Sequence, residues 1–450
     1  MPDILALLQC LDPCVSAATL RQMSIITTAI ITMTGRVTML GISRWTRKGG
    51  SYRTVQRFFQ TAIPWSLVFW WFFRQHLHDA DEVYILVGDE CVVSKSGKQT
   101  HGLDRFFSSL YGKPIPSVSF FSLSLVGTQE RRAYPMLVEQ VIRTEVEKAA
   151  AKTKKQRKKT QSRTKKRQRG RPSGSKNKDK TQVELTPELE RIKAMVLQQL
   201  TLINGEIALA YLVLDGHFGN NHALQMTRQC GLHLISKLRH DAALYFPYAG
   251  AQNKRGAPRK YGDKINYDHI PVQYLQESVM EDGLRTDIYQ ATLLHKEFAQ
   301  PLNAVLIIKT DLKTGKRARV VLFSTDLDLA HTQIIDYYSL RFQIEFNFRD
   351  AKQYWGLEDF MNVSETAVTN AANLSLFLVN LTQPLLRALR QDAPGVGILD
   401  LKTHYRGHKY VTETLKLLPE MPEPILIEYI FATIARVGRI HTRESLPKAA

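Results

Sequence analysis

Four polar side chains recur at helical spacing within the stretch YSLRFQIEFNFRDAK, which spans residues 338–352. Tyr338, Arg341, Glu345 and Lys352 are separated by three, four and seven residues. On a single helix, at about 100° per residue, they fall within an arc of roughly 60°. Burying charge is costly unless the charge is paired, metal-bound or used in chemistry. The spacing therefore favours a functional stripe, and a structural ion-pair stripe is the alternative.

Apolar side chains flank this polar stripe in the same helical projection. Phe342 and Phe346 lie on one side of it, and Ile344 and Phe348 lie on the other. The pattern predicts one helix that holds a carboxylate and two cations between two apolar walls.

Two aspartates each follow a short apolar run that reads as a strand. VYILVG (83–88) ends on Asp89, and IALAYLVL (207–214) ends on Asp215. Each aspartate alone has a simpler interpretation as a strand-end or turn residue. Together with Glu345 they form a set of three hard oxygen ligands, which suits Mg²⁺ or Mn²⁺.

Such a carboxylate set suits phosphoryl transfer. Two metal ions roughly 3.5 to 4 Å apart activate a water or a 3′-hydroxyl on one side of a phosphodiester and stabilise the leaving oxygen on the other. No covalent protein nucleophile is then required. His217 and His222 have a spacing that matches no usual metal-binding pair, so they are not predicted as ligands.

Strand and helix patterns alternate through the middle of the chain. Strands are predicted at 117–126, 134–141, 232–238, 286–294, 303–310 and 319–325, and helices at 187–202, 221–230, 365–391 and 409–436. Alternation of this kind predicts an α/β fold. Between about 240 and 318 the pieces are short and turn-rich, which indicates a β-rich insertion.

The motifs around the three acids resemble those of the DDE transposases of bacterial insertion sequences. Tyr338, Arg341, Glu345 and Lys352 match without a gap the Tyr-Arg-Glu-Lys signature of one branch, and RFQIEFNFRDAKQYWG (341–356) looks like that family's block. The resemblance implies that Asp89, in GDE, is the first catalytic acid, that Asp215, in LVLDGHF, is the second, and that Glu345 is the third.

The same resemblance implies an RNase H-like catalytic core with a β-rich insertion domain between the second aspartate and the glutamate. A helical N-terminal DNA-binding domain and a helical C-terminal region complete the expected fold. The expected divisions are residues 1–80 for DNA binding, 81–239 and 319–362 for the core, 240–318 for the insertion and 363–450 for the C-terminal region.

The implied function is a transposase that binds the terminal inverted repeats of its element and cleaves at the ends. It then transfers the 3′-hydroxyls to target double-stranded DNA, with Mg²⁺ as cofactor and Mn²⁺ as its substitute. The family also implies a homodimer in the DNA complex, in the bacterial cytoplasm and on the nucleoid when bound. Two alternatives are a metal-dependent nuclease that does not join strands and a catalytically silent DNA-binding protein.

Several cations are candidates for contacts with the DNA backbone. Arg341 and Lys352 would grip the phosphates that flank the scissile bond, as a forked donor and a point charge respectively, and Tyr338 would donate a hydrogen bond. A helix, a glycine break at Gly49-Gly50 and a second helix opening at Ser51 form a helix-turn-helix-like outline. The further candidates are Arg53 and Arg57 in that outline, Lys95 and Lys98 after the first aspartate, and Arg255, Arg259 and Lys260 in the insertion.

Most of the positive charge lies in one segment. Residues 148–180 hold sixteen Lys or Arg against one acid, a net +15 of the chain's +19. Residues 148–182 contain almost no apolar side chains after Ala151, which predicts a disordered loop that seeks nucleic acid. Arg169-Gly170-Arg171 resembles the core of an AT-hook, which lies in a narrow A·T minor groove; a generic polybasic tether is the alternative.

Composition argues against two other classes of protein. The four cysteines, Cys10, Cys14, Cys91 and Cys230, have neither the number nor the spacing of a disulfide framework. The most apolar run, 62–73, is too short to cross a bilayer and predicts a buried helix rather than a membrane span.

Overall fold

The computed structural model describes residues 3–46, 49–108, 110–145, 147–148, 179–252 and 255–441. The helices are α1 Ile4–Leu8, α2 Ala17–Thr32, α3 Met39–Trp45, α4 Tyr52–Phe59, α5 Trp65–His76, α6 Pro187–Ile203, α7 Asn221–Gln229, α8 His331–Leu340, α9 Gln343–Tyr354, α10 Glu365–Asp392, α11 Ile398–Leu415 and α12 Pro424–Ile434. Short 3₁₀ helices lie at Gln9–Leu11, Gly216–Phe218 and Val272–Tyr274.

The strands are β1 Tyr84–Ser94, β2 Asp104–Ser108, β3 Lys113–Gly127, β4 Arg132–Gln140, β5 Tyr211–Val213, β6 His233–Leu238, β7 Leu244–Pro247, β8 Tyr261–Lys264, β9 Leu275–Glu281, β10 Leu284–His295, β11 Leu302–Asp311 and β12 Arg317–Ser324. The described residues thus form a mixed α/β molecule, as the alternation of patterns predicts.

Within the described part of the chain the strands form one twelve-stranded sheet. β1 lies near the middle of its first half, antiparallel to β3 on one side and parallel to β5 on the other. β3 also pairs with β4, and β5 pairs with β6 in parallel. Three antiparallel strands followed by two parallel ones therefore run in the order β4-β3-β1-β5-β6. Parallel strands need helical crossovers, and α6 and α7 supply them.

The second half of the sheet continues from β6 through β12, β11 and β10, with antiparallel pairing throughout. β7 and β9 both pair with β10, and β9 is exposed along nearly its whole length. The β-rich stretch predicted at 240–318 therefore extends the sheet that carries the aspartates. The division of the chain into domains stays a prediction.

The N-terminal helices pack onto the same core as the long helix α10. The aromatic face of α5 supplies Phe69 and Phe72, whose rings meet Phe377 of α10 edge-on at 5.8 and 5.1 Å between centroids. The apolar run that is too short for a bilayer is thus a buried helix of the core.

One buried amide joins the α4–α5 connection to α10. Asn370 accepts a hydrogen bond from the Trp65 indole at 2.8 Å and donates to the carbonyls of Phe59 and Thr61, each at 2.8 Å. A buried amide without hydrogen-bond partners would destabilise the packing here. Because this amide forms three hydrogen bonds, it stabilises the packing instead.

Three predicted element boundaries are wrong in ways that matter for the site. Asp89 lies in the middle of β1 rather than at the end of a strand, because pairing with β3 continues to Ser94. The stripe of residues 338–352 occupies two helices, α8 and α9, rather than one. The predicted helix at 409–436 is α11, which begins at Ile398, followed by a break and then α12.

No helix among the described residues combines the length and the apolar character that crossing a membrane requires.

Candidate active site

The register of two neighbouring strands places the aspartates side by side. Val87 of β1 is opposite Val213 of β5, and Asp89 and Asp215 each follow two residues later. Neighbouring strands lie about 4.8 Å apart, so the two residues stand at the same level of the sheet. β1 continues past this level and β5 does not, which leaves Asp215 in the loop that follows its strand.

Asp89 is largely buried, and its side chain is 20% exposed. Burial raises the pKa of its carboxyl to about 6, although Arg341 and a hydrogen bond from the Glu90 backbone lower it; the charges of Asp215 and Glu345 raise it further. Asp215 and Glu345 therefore lie near enough to Asp89 for their charges to act on its carboxyl. Such crowding of negative charge in a partly buried place is typical of functional sites.

The backbone tightens where the stripe crosses from α8 to α9. Phe342 donates to the carbonyl of Ser339, and Glu345 donates to that of Phe342, each at 3.1 Å. These bonds span three residues instead of four, which is 3₁₀ geometry. The tight turn separates Tyr338 on α8 from Glu345 on α9, so the single 60° arc expected from the sequence does not hold across it.

Arg341, at this junction, bridges two of the acids. One guanidinium nitrogen lies 2.5 Å from Asp89 and the other lies 3.2 Å from Glu345. The Arg341 side chain is only 8% exposed, so its charge is compensated by these two carboxylates rather than by water. Its Nε is buried with no hydrogen-bond partner among the described residues, an orphaned donor of the kind that a phosphate oxygen or a water satisfies.

Only one of the two predicted apolar walls is present. Ile344 and Phe348 are buried, but Phe342 and Phe346 are 48% and 47% exposed. Arg341 lies over the Phe342 ring at 4.6 Å, and Glu345 is itself half exposed. The prediction of a charged stripe enclosed on both sides is therefore wrong: one side packs on the core and the other is open to solvent.

The loop after β5 fixes Asp215 from two directions. Its side chain accepts a hydrogen bond from the His217 backbone at 3.0 Å and caps the 3₁₀ helix, while the Ser236 hydroxyl donates to its carbonyl at 2.7 Å. Gly219 lets this loop pass close to the backbone of Lys237, where a Cβ would collide with the carbonyl oxygen.

The sequence interpretation missed the position of Lys237 beside the Asp215 loop and the contact of His217 with Glu188. Lys237 is exposed at the same edge of the sheet and lies against the Gly216 backbone. The imidazole of His217 lies 3.4 Å from Glu188 at the start of α6, and that hydrogen bond raises the His217 pKa. Lys237 could have been found from the polar residues on β6, the next strand in the sheet. No sequence pattern links His217 to Glu188.

The remaining signature residues lie on either side of the acids. Tyr338 is half-buried, its pKa is raised by burial, and its ring centroid is 6.0 Å from the Arg341 guanidinium. Lys352 donates to the Val92 carbonyl at 2.9 Å and lies 3.5 Å from Glu358, so it is held further along β1.

The two lysines that follow Asp89 have different environments. Lys95 donates to the carbonyl of Phe360 at 2.8 Å and lies 3.3 Å from the centroid of that ring; burial lowers its pKa to about 8. Lys98 is exposed. Both lysines were predicted to contact the DNA backbone from this loop, but only Lys98 projects from it.

The other predicted DNA-contact residues are exposed in separate places. Arg53 and Arg57 lie on the outer face of α4, which begins after a Ser51 cap. Arg259 lies over the Tyr248 ring at 4.5 Å in the connection between β7 and β8, beside the exposed Arg255 and Lys260. Arg169 and Arg171, with most of the predicted basic loop at 148–182, lie outside the described residues.

The donor set fits a hard divalent cation by its chemistry, since all three side chains are carboxylates. In the described residues, however, no three His, Cys, Asp or Glu side chains converge as a metal site. Arg341 donates to one carboxylate oxygen of Asp89 and to one of Glu345.

Comparison with known families decides the broader assignment. Residues 10–301 match the model of the DDE superfamily endonucleases. The chain belongs to the DDE endonuclease superfamily. This family acts on DNA with divalent metal ions, which agrees with the metal-dependent DNA chemistry expected from the three acids. No curated protein is similar enough to the chain to add a named relative.

The match contains Asp89 and Asp215 but ends before Glu345. The match therefore covers the positions of both aspartates without testing their roles, which stay predictions. The case for the glutamate comes from its bridge through Arg341 to Asp89.

Proposed function

We propose that this DDE endonuclease is a transposase that uses Asp89, Asp215 and Glu345 as its catalytic acids. The observation that carries the proposal is the Arg341 bridge, which brings the glutamate of α9 to the aspartate of β1 across 256 positions of sequence. The match to the Tyr-Arg-Glu-Lys signature supports placement in that branch. The strand order β4-β3-β1-β5-β6 supports an RNase H-like core.

The three acids would hold the divalent ion, with Mg²⁺ as the proposed cofactor and Mn²⁺ as its substitute. When bound, the metal supplies activation of a water or 3′-hydroxyl and stabilisation of the leaving oxygen. The protein's own contribution begins with Arg341. Its guanidinium turns from the carboxylates to a backbone phosphate, where its forked donors and unpaired Nε match phosphate oxygens.

The side chains around Arg341 position the DNA backbone in this proposal. Tyr338, beside the guanidinium, donates its hydroxyl to a phosphate oxygen, and Lys352 supplies a second positive charge further along β1. Ile344 and Phe348 pack on the core and keep α9 from moving with the DNA. Arg341 would thus pair with the carboxylates when DNA is absent and with a phosphate when DNA is bound.

DNA outside the scissile bond would lie on the exposed cations. Arg53 and Arg57 on α4 are proposed to contact the terminal inverted repeats, and Lys98, Arg255 and Lys260 the flanking backbone. Because each element has two ends, we propose a homodimer in the DNA complex. It would act in the bacterial cytoplasm, on the nucleoid when bound.

Cleavage and joining are tested with one experiment on the full chain. Purified protein is incubated with Mg²⁺ and DNA that carries the terminal repeats of the element encoding it, beside an EDTA control. We expect cuts at the repeat ends followed by joined products, both dependent on the metal. Cuts without joined products would make the protein an endonuclease alone, and tight binding without cuts would make it a silent DNA-binding protein.

The same assay tests the third acid. Glu345→Gln removes one charged ligand and little volume, so we expect cleavage to fall by at least about 10³-fold with DNA binding retained. Glu277→Gln is the matched control, because Glu277 is exposed on β9 and should cut as well as the parent. Equal cleavage by the parent and Glu345→Gln would show that the glutamate is misassigned.

A further inference from the structure

Lys237 lies in one row with the two aspartates of the candidate active site. Three buried residues are opposite one another on the parallel strands β1, β5 and β6: Val87, Val213 and Ile235. Asp89, Asp215 and Lys237 each follow two residues later. Because side chains two residues apart on a strand share one face, the two acids and the lysine lie at one level of the same face.

The pairing of β5 with β6 continues through the loop that carries Asp215. Leu214 donates its backbone N–H to the Ile235 carbonyl at 3.1 Å, and the Ser236 hydroxyl donates to the Asp215 carbonyl at 2.7 Å. Asp215 also keeps an extended backbone. The row is therefore preserved beyond the last paired residue of β5, and Lys237 is its third member.

The row places the lysine close to both acids. Adjacent strands lie about 4.8 Å apart, so the Cα atoms of Asp89 and Lys237 are separated by roughly 10 Å, with Asp215 between them. This separation corresponds to about three nucleotides of rise along one DNA strand. A DNA strand that crosses the two aspartates therefore also passes Lys237.

Two glycines of the loop after β5 allow this loop to lie against Lys237. At Gly216 a Cβ would lie 3.4 Å from the lysine Cε, so the aliphatic part of the side chain runs beside the bare backbone of the loop. At Gly219 a Cβ would collide with the Lys237 carbonyl oxygen. The stem of the lysine is thus supported next to Asp215, while the residue as a whole is exposed.

Lys237 differs from the other cations near the acids because its side chain has no partner. Arg341 is held by two of the acids, and Lys352 donates to a backbone carbonyl of β1. Within the described part of the chain, Lys237 forms neither a side-chain hydrogen bond nor an ion pair, even with Asp215 beside it. Its ammonium group is therefore available to an anionic ligand.

Arg341 and Lys237 lie at opposite ends of the row. The guanidinium contacts Asp89 on β1, whereas Lys237 is on β6. A phosphodiester placed over the two aspartates would therefore have a cation on each side. Two cations in these positions favour a DNA backbone that runs across the strands of the sheet.

We propose that Lys237 binds a phosphate of the scissile strand on the side of the cut opposite to Arg341, so that this strand crosses the sheet from β1 to β6. The inference rests on the proposed function and deepens it, since it adds a substrate contact and gives the strand a direction across the acids. The ammonium group acts as a point charge on a flexible stem, so an arginine at this position should serve as well.

DNA binding in EDTA tests the contact without cleavage. Parent and Lys237→Met are compared on a duplex that carries the terminal repeats of the element encoding the protein, over a series of KCl concentrations. The slope of log affinity against log salt should be less steep by about 0.9 in the variant, because one phosphate is no longer neutralised. Lys237→Arg should restore the parent's slope.

Lys313→Met is the matched control for the salt series. Lys313 is also an exposed lysine of the sheet, but it lies on the turn between β11 and β12 and outside the row. Its slope should equal that of the parent. Thermal unfolding of both variants should occur at the parent's temperature, because neither change removes a buried group.

Neutral methylphosphonates, placed one at a time along the scissile strand, identify the phosphate. The substitution at the contacted position should weaken binding by the parent about 5-fold or more and leave binding by Lys237→Met unchanged. The same series with Arg341→Ala locates the phosphate bound by Arg341. The two positions should lie within about three nucleotides of each other, with the cut between them.

The inference is overturned by a salt slope that Lys237→Met leaves unchanged, by an equal change in Lys313→Met, or by two phosphates on the same side of the cut. Failure of the proposed function would look different. The parent would then bind the repeats without cutting them, and coupling of Lys237 to a phosphate within about three nucleotides of that of Arg341 would still support the contact. A parent that does not bind the repeats would overturn both.

Discussion

Two helices of this DDE endonuclease depart from the usual pattern of buried apolar and exposed charged side chains, and they do so in opposite ways. At the start of α9 the molecule buries charge: Arg341 is 8% exposed and is held between two carboxylates. Along α12 it exposes apolar side chains, and no residue of that helix is buried. A buried charge and an exposed apolar patch are the two departures from ordinary burial that carry information.

The two helices differ in whether the chain itself supplies partners for their unusual side chains. The charges near α9 find partners within the chain, because Arg341 forms ion pairs with both Asp89 and Glu345. The apolar face of α12 has no such partner among the described residues. The first pattern therefore suits chemistry with a ligand of competing charge, whereas the second leaves apolar side chains in contact with solvent.

Among the variants that test this comparison, Arg341→Ala should have the largest effect. We expect cleavage to fall by about 100-fold or more, because the carboxylates lose the cation that aligns them and the DNA loses a forked phosphate ligand. The measurement is single-turnover cleavage with DNA binding recorded in parallel. Arg341→Lys keeps the charge without the fork; full activity of that variant would show that charge alone is needed.

Replacement of one isoleucine by alanine on each helix tests the contrast between α9 and α12. Ile344→Ala on α9 should lower the free energy of unfolding by about 3 kcal/mol, because it leaves a cavity beside a fully buried side chain. Ile425→Ala on α12 should lower it by less than about 0.5 kcal/mol in dilute protein, since Ile425 is exposed there. Urea unfolding of both variants measures the difference, and equal losses would mean that α12 is covered within the monomer.

A third, smaller effect concerns a buried charge outside the site. Lys402 of α11 donates to the Ile30 carbonyl at 2.6 Å, and burial lowers its pKa to about 7, with a contribution from Arg406. Between pH 7 and 10 the unfolded chain holds a proton on this lysine that the folded protein lacks. Stability should therefore rise with pH over that range and lose this contribution below pH 7.

Comparison of the parent with Lys402→Met isolates this contribution. From pH 7 to 9 the free energy of unfolding of the parent should gain about 1 to 3 kcal/mol relative to the variant. Urea unfolding at the two pH values measures the gain. A difference that does not change with pH would show that the amine of Lys402 stays protonated in the folded protein.

Local patterns were enough to predict much of the fold. Several predicted elements lie within a few residues of their observed positions, because hydrophobic periodicity and turn residues reflect interactions over short distances in sequence. These elements are the helices α6 and α7 and the strands β3, β4, β6, β10, β11 and β12. The patterns failed where long-range pairing decides an element's length. β1 extends beyond Asp89 because β3 offers partners as far as Ser94.

The sequence by itself determined which three acids are candidates and where the four-residue signature lies, because residue type and spacing along one segment need no knowledge of distant contacts. Only the tertiary structure decided that Arg341 spans Asp89 and Glu345, that Lys95 is held by the Phe360 carbonyl, and that α12 is exposed. Each of these depends on elements far apart in sequence that meet only after the sheet has formed. A pattern of apolar residues shows which face of a helix avoids water, but packing alone decides whether a partner for that face comes from the same chain.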